Sequence, residues 1–268
     1  MSSDAINPNL EQPSFALITG ASAGLGAEFA RQLAAMGKSL ILVARRRDRL
    51  EALAESLRKE HQIQVEIIAA DLSLATAAEE IATVCASERW QVDWLINNAG
   101  IAGPDLLKDR DWQMQQPFFQ LMMLSVADLC HRLIPDMVDR GYGRVINVAS
   151  VAARVPRSGG CNYGPAKAYL VALSEELHLT VSGSGVNVSA LCPGFTHTDF
   201  HETAGLMEMK NKMAKWLWYD ADVVVKDAIN GVQSGKPVVV SGRLYRWLDP
   251  IFQSVWTRRF LRIRARPE

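Results

Sequence analysis

Three residues in the second half of the chain have the types and spacing for proton transfer. Ser150 precedes Tyr163 by thirteen positions, and Lys167 follows that tyrosine by four. A tyrosine in water ionises near ~10, too high for acid–base work at neutral pH, but a lysine ammonium one helical turn away favours the phenolate. Tyr163 would then pass a proton to or from a substrate oxygen, and the Ser150 hydroxyl would hold that oxygen in place. Pro165, between the pair, suits the first turn of a helix, where its missing N–H does no harm. Taken alone, "YGPAK" is equally the first turn of an ordinary buried helix. The elements that would position it decide between the two.

Short apolar runs alternate with longer stretches of helical period along the whole chain, which is the pattern of βαβ units. Strands are expected at "FALITG" from Phe15, "SLILVA" from Ser39, "VEIIAA" from Val65, "VDWLIN" from Val92, "RVINVAS" from Arg144, "VNVSALC" from Val186 and "PVVVSG" from Pro237. Their continuous apolar character predicts one α/β fold: a Rossmann-type, doubly wound, parallel seven-stranded sheet with helices on both faces. Ligands then bind beyond the carboxyl ends of the strands. At the first such end, "ITGASAGLG" places Gly20, Gly24 and Gly26 between a strand and an amphipathic helix. Glycines there let the backbone turn tightly and approach a pyrophosphate, while the helix N-terminus offers free N–H groups. The glycines alone would also suit a plain strand-to-helix turn; the flanking strand and helix point to a dinucleotide.

The second strand end reads "LVARRRDRL", with no carboxylate in the turn to hold a ribose 2′-hydroxyl. Arg45, Arg46 and Arg47 can pair with a 2′-phosphate instead, which favours NADP(H), with Arg45 nearest the strand. The competing reading is a solvated helix start. Later strand ends supply Asp71 in "AADLS" and Asn97 and Asn98 in "NNAG", amides that can knit neighbouring strands or border a cofactor.

Composition bounds the rest. The chain has 268 residues, 49% hydrophobic, with Lys plus Arg and Asp plus Glu at 29 each, so no global field favours nucleic acid. Cys85, Cys130, Cys161 and Cys192 show neither zinc spacing nor a disulfide framework and suit reduced, mostly buried thiols. Residues 1–13 read as a polar tail without a secretory pattern, and no apolar run approaches a membrane span, so the expectation is a cytoplasmic protein without a metal.

"TGASAGLG", "ADLS", "NNAG", "NVAS", "YGPAK" and "CPGFTHT" follow one another in the order and spacing of the short-chain dehydrogenase/reductases, which the chain resembles over roughly residues 14 to 242. The resemblance implies a single domain, catalytic roles for Ser150, Tyr163 and Lys167, and a nicotinamide cofactor. It places Ser22 and Leu25 of the loop, Asp71 and Leu72 near the adenine, Asn98, Ala99 and Gly100, and Pro193, Gly194, Thr196 and Thr198 around that cofactor, with Tyr163 and Lys167 also touching it. One expected residue is missing. Many members carry an asparagine in the helix before the fifth strand, at a bent backbone that holds a proton-relaying water; here that position is Met122, and a thioether cannot replace an amide. Ser125, one turn on, is either a substitute or plain helix packing.

Substrate choice would rest on a lid over about 195–218, where Phe195, Phe200, Met207, Met213, Trp216 and Trp218 offer apolar surface. A lipophilic carbonyl, including a carrier-linked 3-oxoacyl thioester, fits, and so does simple packing of the lid. His197 and His201 read as surface residues. Residues 243–268 form a basic amphipathic extension, Arg258, Arg259, Arg262, Arg264 and Arg266 interleaving with Trp256, Phe260, Leu261 and Ile263. It would meet an anionic membrane surface, an acidic carrier or a second subunit of a homodimer or homotetramer. The activity expected is carbonyl reduction with NADPH. Alcohol oxidation, or a dinucleotide-binding module whose catalysis has decayed, are the alternatives.

Overall fold

The computed structural model describes residues 14–155, 162–197 and 218–258. Seven strands, β1 (Ser14–Thr19), β2 (Ser39–Ala44), β3 (Val65–Ala69), β4 (Gln91–Asn97), β5 (Gly143–Val148), β6 (Val186–Cys192) and β9 (Val238–Val240), form one sheet in the order β3-β2-β1-β4-β5-β6-β9. All neighbours run parallel. Each predicted strand is present, and the fold class is the expected Rossmann type.

Side chains alternate between the two faces. Phe15 and Leu17 of β1 join one core with Ile81 of α3 (Ala77–Ser87), Leu129 and Leu133 of α5 (Ser125–Asp139) and Leu170 of α6 (Tyr163–Thr180). Ala16 and Ile18 join the other, with Phe29 and Leu33 of α1 (Gly24–Ala35), Leu50 and Leu57 of α2 (Arg47–His61), and Val224 and Val232 of α7 (Ala221–Gln233). Burial on both faces explains why the strands carry continuous apolar runs, each large side chain contributing roughly 1.5–3 kcal/mol.

The chain steps from β3 at one edge back across β1 to β4. The topological switch therefore lies between β1 and β4, where the crevice for a ligand opens. Two short strands outside the sheet, β7 (Phe195–Thr196) and β8 (Trp218–Tyr219), pair in parallel. A helix α4 (Trp112–Phe119) passes through a π turn at Gln120–Leu124 into α5, and the last long helix, α8 (Arg243–Gln253), follows β9.

Candidate active site

The glycine loop and the end of β4 are built against each other. Gly20 takes φ +66, and a Cβ at Gly26 would fall 2.3 Å from the Gly20 carbonyl oxygen, so only glycine lets the first turn of α1 close on the strand end. The Thr19 hydroxyl accepts the backbone N–H groups of Asn98 (2.9 Å) and Ala99 (3.0 Å). Asn98 in turn donates its side-chain amide to the carbonyls of Thr19 (2.9 Å) and Gly20 (3.3 Å). Asn97 knits the other side, donating to Asn147 of β5 at 2.8 Å. Both amides thus serve as ties between strand ends. Thr19 is a residue the sequence reading passed over, although it is the first letter of "TGASAGLG".

At the end of β2, Arg46 donates to the Ser22 hydroxyl of the glycine loop (3.0 Å), and Arg45 lies 3.8 Å from Asp71. Arg47 turns away to Glu51, one turn along α2. Arg46, rather than Arg45, is therefore the arginine in contact with the loop. Burial would raise the Asp71 carboxyl, but the Ser73 backbone and hydroxyl donors together with Arg45 outweigh it and hold the pKa below the usual carboxylate value. The Leu72 side chain is buried in the core, leaving its main chain for any ligand.

At the other end of the crevice, Ser150 opens a 3-10 turn (Val151–Ala153), its Oγ accepting the Ala152 N–H at 3.1 Å. That bond fixes the hydroxyl oxygen and leaves its O–H to donate. Tyr163 is the first residue of α6. Gly164 lets the two elements meet: a Cβ there would sit 3.1 Å from the Ala152 carbonyl oxygen. One turn further on, Lys167 is 4% exposed, donates from Nζ to the Val148 carbonyl (2.7 Å), and places Nζ 5.7 Å from the centre of the Tyr163 ring. Burial lowers its pKa from 10.5 to about 8, the neighbouring Cys192 sulfur opposing. Cys192 itself is pushed up to about 12 by its own burial. Cys85 and Cys130 are likewise free and buried, and Cys161 lies outside the described residues.

Met122, at the position of the missing asparagine, lies in the π turn, is 1% exposed, and accepts the Ile101 N–H on its sulfur at 3.3 Å. The bent backbone is thus kept while the amide is not; π turns frequently mark functional sites. Ser125, the first residue of α5, donates to the Leu121 carbonyl in the preceding π turn (2.9 Å), which is the packing role.

Pro193 accepts the Val151 N–H (3.0 Å), and the Thr196 hydroxyl donates to the Gly194 carbonyl (3.1 Å). Phe195 and Trp218 pack with tilted rings, their centres 5.3 Å apart, His197 also packs on Trp218 while staying exposed, and the β7–β8 pair holds both ends of the expected lid together. Thr198, Phe200, His201, Met207, Met213 and Trp216 lie outside the described residues.

The chain beyond Val240 is not a loose tail as far as it is described. Tyr245 of α8 lies on Gly194, where a Cβ would fall 2.0 Å from its ring. Arg154 forks onto Asp249 at 2.8 and 2.6 Å, and Arg246 pairs with Asp227 of α7 at 3.2 Å. The available signal was Asp249, the one acid in an otherwise basic helix. Arg259, Phe260, Leu261, Arg262, Ile263, Arg264 and Arg266 lie outside the described residues.

The glycine loop with Arg46 beside Ser22 is shaped for a dinucleotide, and Ser150, Tyr163 and Lys167 lie at the other end of the crevice. A family model described as short chain dehydrogenase matches residues 14–208. The chain is 34% identical over 185 residues to a sulfoacetaldehyde reductase of Chromohalobacter salexigens, covering 68% of this chain and 72% of that one. It is 32% identical over 187 residues to the 3-oxoacyl-(acyl-carrier-protein) reductase of Escherichia coli, covering 69% and 74%. Among solved structures, a short-chain dehydrogenase from Sphingobium yanoikuyae in complex with NADPH superposes with a TM-score of 0.78 at 31% identity, over 88% of this chain and 91% of that one. The bulky-bulky ketone specific alcohol dehydrogenase from Comamonas testosteroni gives 0.75 at 27% identity, over 92% and 94%.

Proposed function

We propose that this chain, which belongs to the short-chain dehydrogenase family, is an NADPH-dependent reductase of a lipophilic ketone or aldehyde, 3-oxoacyl thioesters included. Membership makes it an oxidoreductase; substrate, cofactor preference and direction are the proposal. The observation that carries it is Arg46 at 3.0 Å from Ser22, a guanidinium held over the glycine loop in a turn without a carboxylate. An NADPH-bound relative of known structure supports the same preference.

Gly20, Gly24 and Gly26 would hold the pyrophosphate on the N-terminus of α1, and Arg46 with Arg45 the 2′-phosphate. The cofactor, when bound, supplies the hydride. Ser150 donates its O–H to the substrate carbonyl oxygen, orienting it and drawing charge onto it. Tyr163 gives that oxygen a proton, and the Lys167 ammonium stabilises the phenolate left behind. Lys167 is anchored for this by the Val148 carbonyl, so the charge keeps its place between turnovers.

The test is NADPH oxidation against a panel of oxoacyl thioesters, alkyl ketones and aldehydes, with separate nucleotide titrations by fluorescence. Tyr163→Phe should lower kcat by about 100-fold or more with NADPH binding retained. Arg46→Ala should weaken NADPH about 10- to 100-fold and leave NADH unchanged, since one charge-assisted phosphate contact is lost. Wild type and Tyr163→Phe equally inert on the whole panel, with NADPH still bound, would favour a decayed binding module.

A further inference from the structure

We propose that Arg154 and Asp249 are positioning residues for Ser150, so that helix α8 sets the geometry of the reaction centre although it contributes nothing to the chemistry; this rests on the reductase reading for its effect on rate. The turn that carries Ser150 is short. Its internal bonds are Ala152 N–H to Ser150 Oγ (3.1 Å), Ala153 N–H to the Ser150 carbonyl (3.0 Å) and Arg154 N–H to the Val151 carbonyl (3.0 Å). A single three-residue turn of this kind has little stability of its own.

Its far end is gripped from 95 positions away. The Arg154 guanidinium uses two parallel donors on the Asp249 carboxylate, Nε at 2.8 Å and a terminal nitrogen at 2.6 Å, the bidentate arrangement that fixes angle as well as distance. The two side chains are only 15% and 18% exposed, so water screens the pair weakly. Gln253, one turn beyond Asp249, donates to the Arg154 carbonyl at 3.1 Å. Main chain and side chain of Arg154 are thus both held by α8.

The same helix presses on the opposite wall of the centre. Tyr245 packs on Gly194, and the neighbouring Pro193 carbonyl takes the Val151 N–H at 3.0 Å. Helix α8 therefore spans the turn after β5 and the turn after β6, the two loops between which a carbonyl facing Ser150 must lie. Asp249 is the sole acid of a helix with two exposed arginines, and it faces inward to the one arginine of the catalytic turn. Solvation of a basic amphipathic helix does not require that arrangement. Positioning of a donor does, because a displacement of about 1 Å costs roughly 100-fold in rate.

The experiment uses the full-length chain and the variants Asp249→Ala, Asp249→Asn and the exchange Arg154→Asp with Asp249→Arg. Amide hydrogen exchange of the peptide spanning 149–155 needs no substrate. It should quicken about tenfold in Asp249→Ala, with β1 and β4 unchanged and NADPH affinity within about twofold of wild type. With the best substrate of the panel, kcat should fall about 10- to 100-fold in Asp249→Ala, less in Asp249→Asn, and recover in the double exchange while KM for NADPH stays fixed. Unaltered exchange in 149–155 overturns the clamp even if no carbonyl on the panel is reduced. Quickened exchange with kcat retained, or quickening that extends into β1 and β4, overturns the positioning role. An inert panel with local quickening would leave the clamp standing and sink the reductase reading alone.

Discussion

At the scale of single residues, the proposed proton chemistry turns on a lysine whose charge is marginal. Lys167 is buried, and burial brings it from 10.5 to about 8. A lysine with a lowered pKa is charged below that value and neutral above it. The proposed reduction needs the ammonium to stabilise the phenolate, so kcat should be level below neutrality and fall as pH rises through about 8, read at saturating NADPH. Lys167→Met should remove that limb and lower the plateau. A rate that instead climbed across pH 8 would mean that the neutral amine is the working form. Ser150, Tyr163 and Lys167 were legible because their spacing follows from one helical turn and one strand end. Thr19 and Arg154 were not, because what they do depends on partners far along the chain: Thr19 on Asn98 and Ala99, Arg154 on Asp249.

At the scale of elements, the strands could be read from the sequence because a parallel sheet covered on both faces selects unbroken apolar runs, with α1, α2 and α7 on one side and α3, α5 and α6 on the other. The β7–β8 ribbon could not be: two residues per strand carry no period. The π turn at Gln120–Leu124 also lacks a pattern of its own, although the missing asparagine at Met122 drew attention to it. The first turn of α1 offers a sharp test of the cradle. A Cβ at position 26 would meet the Gly20 carbonyl oxygen at 2.3 Å and the Asn98 amide at 2.6 Å, two groups bonded to each other, with the amide also tied to the Thr19 carbonyl. Gly26→Ala should therefore cost about 1–3 kcal/mol in urea unfolding and weaken NADPH tenfold or more, seen by titration. Unaltered nucleotide binding would show that the loop does not cradle the pyrophosphate.

At the scale of the whole molecule, among the described residues no helix is long and apolar enough to cross a membrane, yet α8 and the short helix after it (Val255–Arg258) show water an apolar surface. Trp247 and Trp256 are 73% and 77% exposed, and Arg243 and Ile251 lie one helical turn to either side of Trp247. We propose that this face meets an anionic lipid surface, the charge that suits a segment with six arginines from residue 243 onward besides Arg246, which is paired. The full chain should sediment with phosphatidylcholine vesicles containing about a third phosphatidylserine, and Trp247→Glu should abolish this while keeping NADPH binding. Equal recovery with neutral vesicles, or none with either, would end the idea.

The bonds from Asn98 and Ala99 to Thr19 join positions 79 and 80 residues apart. The nucleotide crevice is thus made by a long-range closure that local helices cannot supply in advance, and such closures come late and slowly in folding. A nascent chain that has finished β1, α1 and β2 already displays every glycine of the loop, but not the floor beneath it. Affinity for the dinucleotide can emerge only once β4 has docked, so nucleotide capture reports a completed half-sheet rather than the presence of its signature sequence.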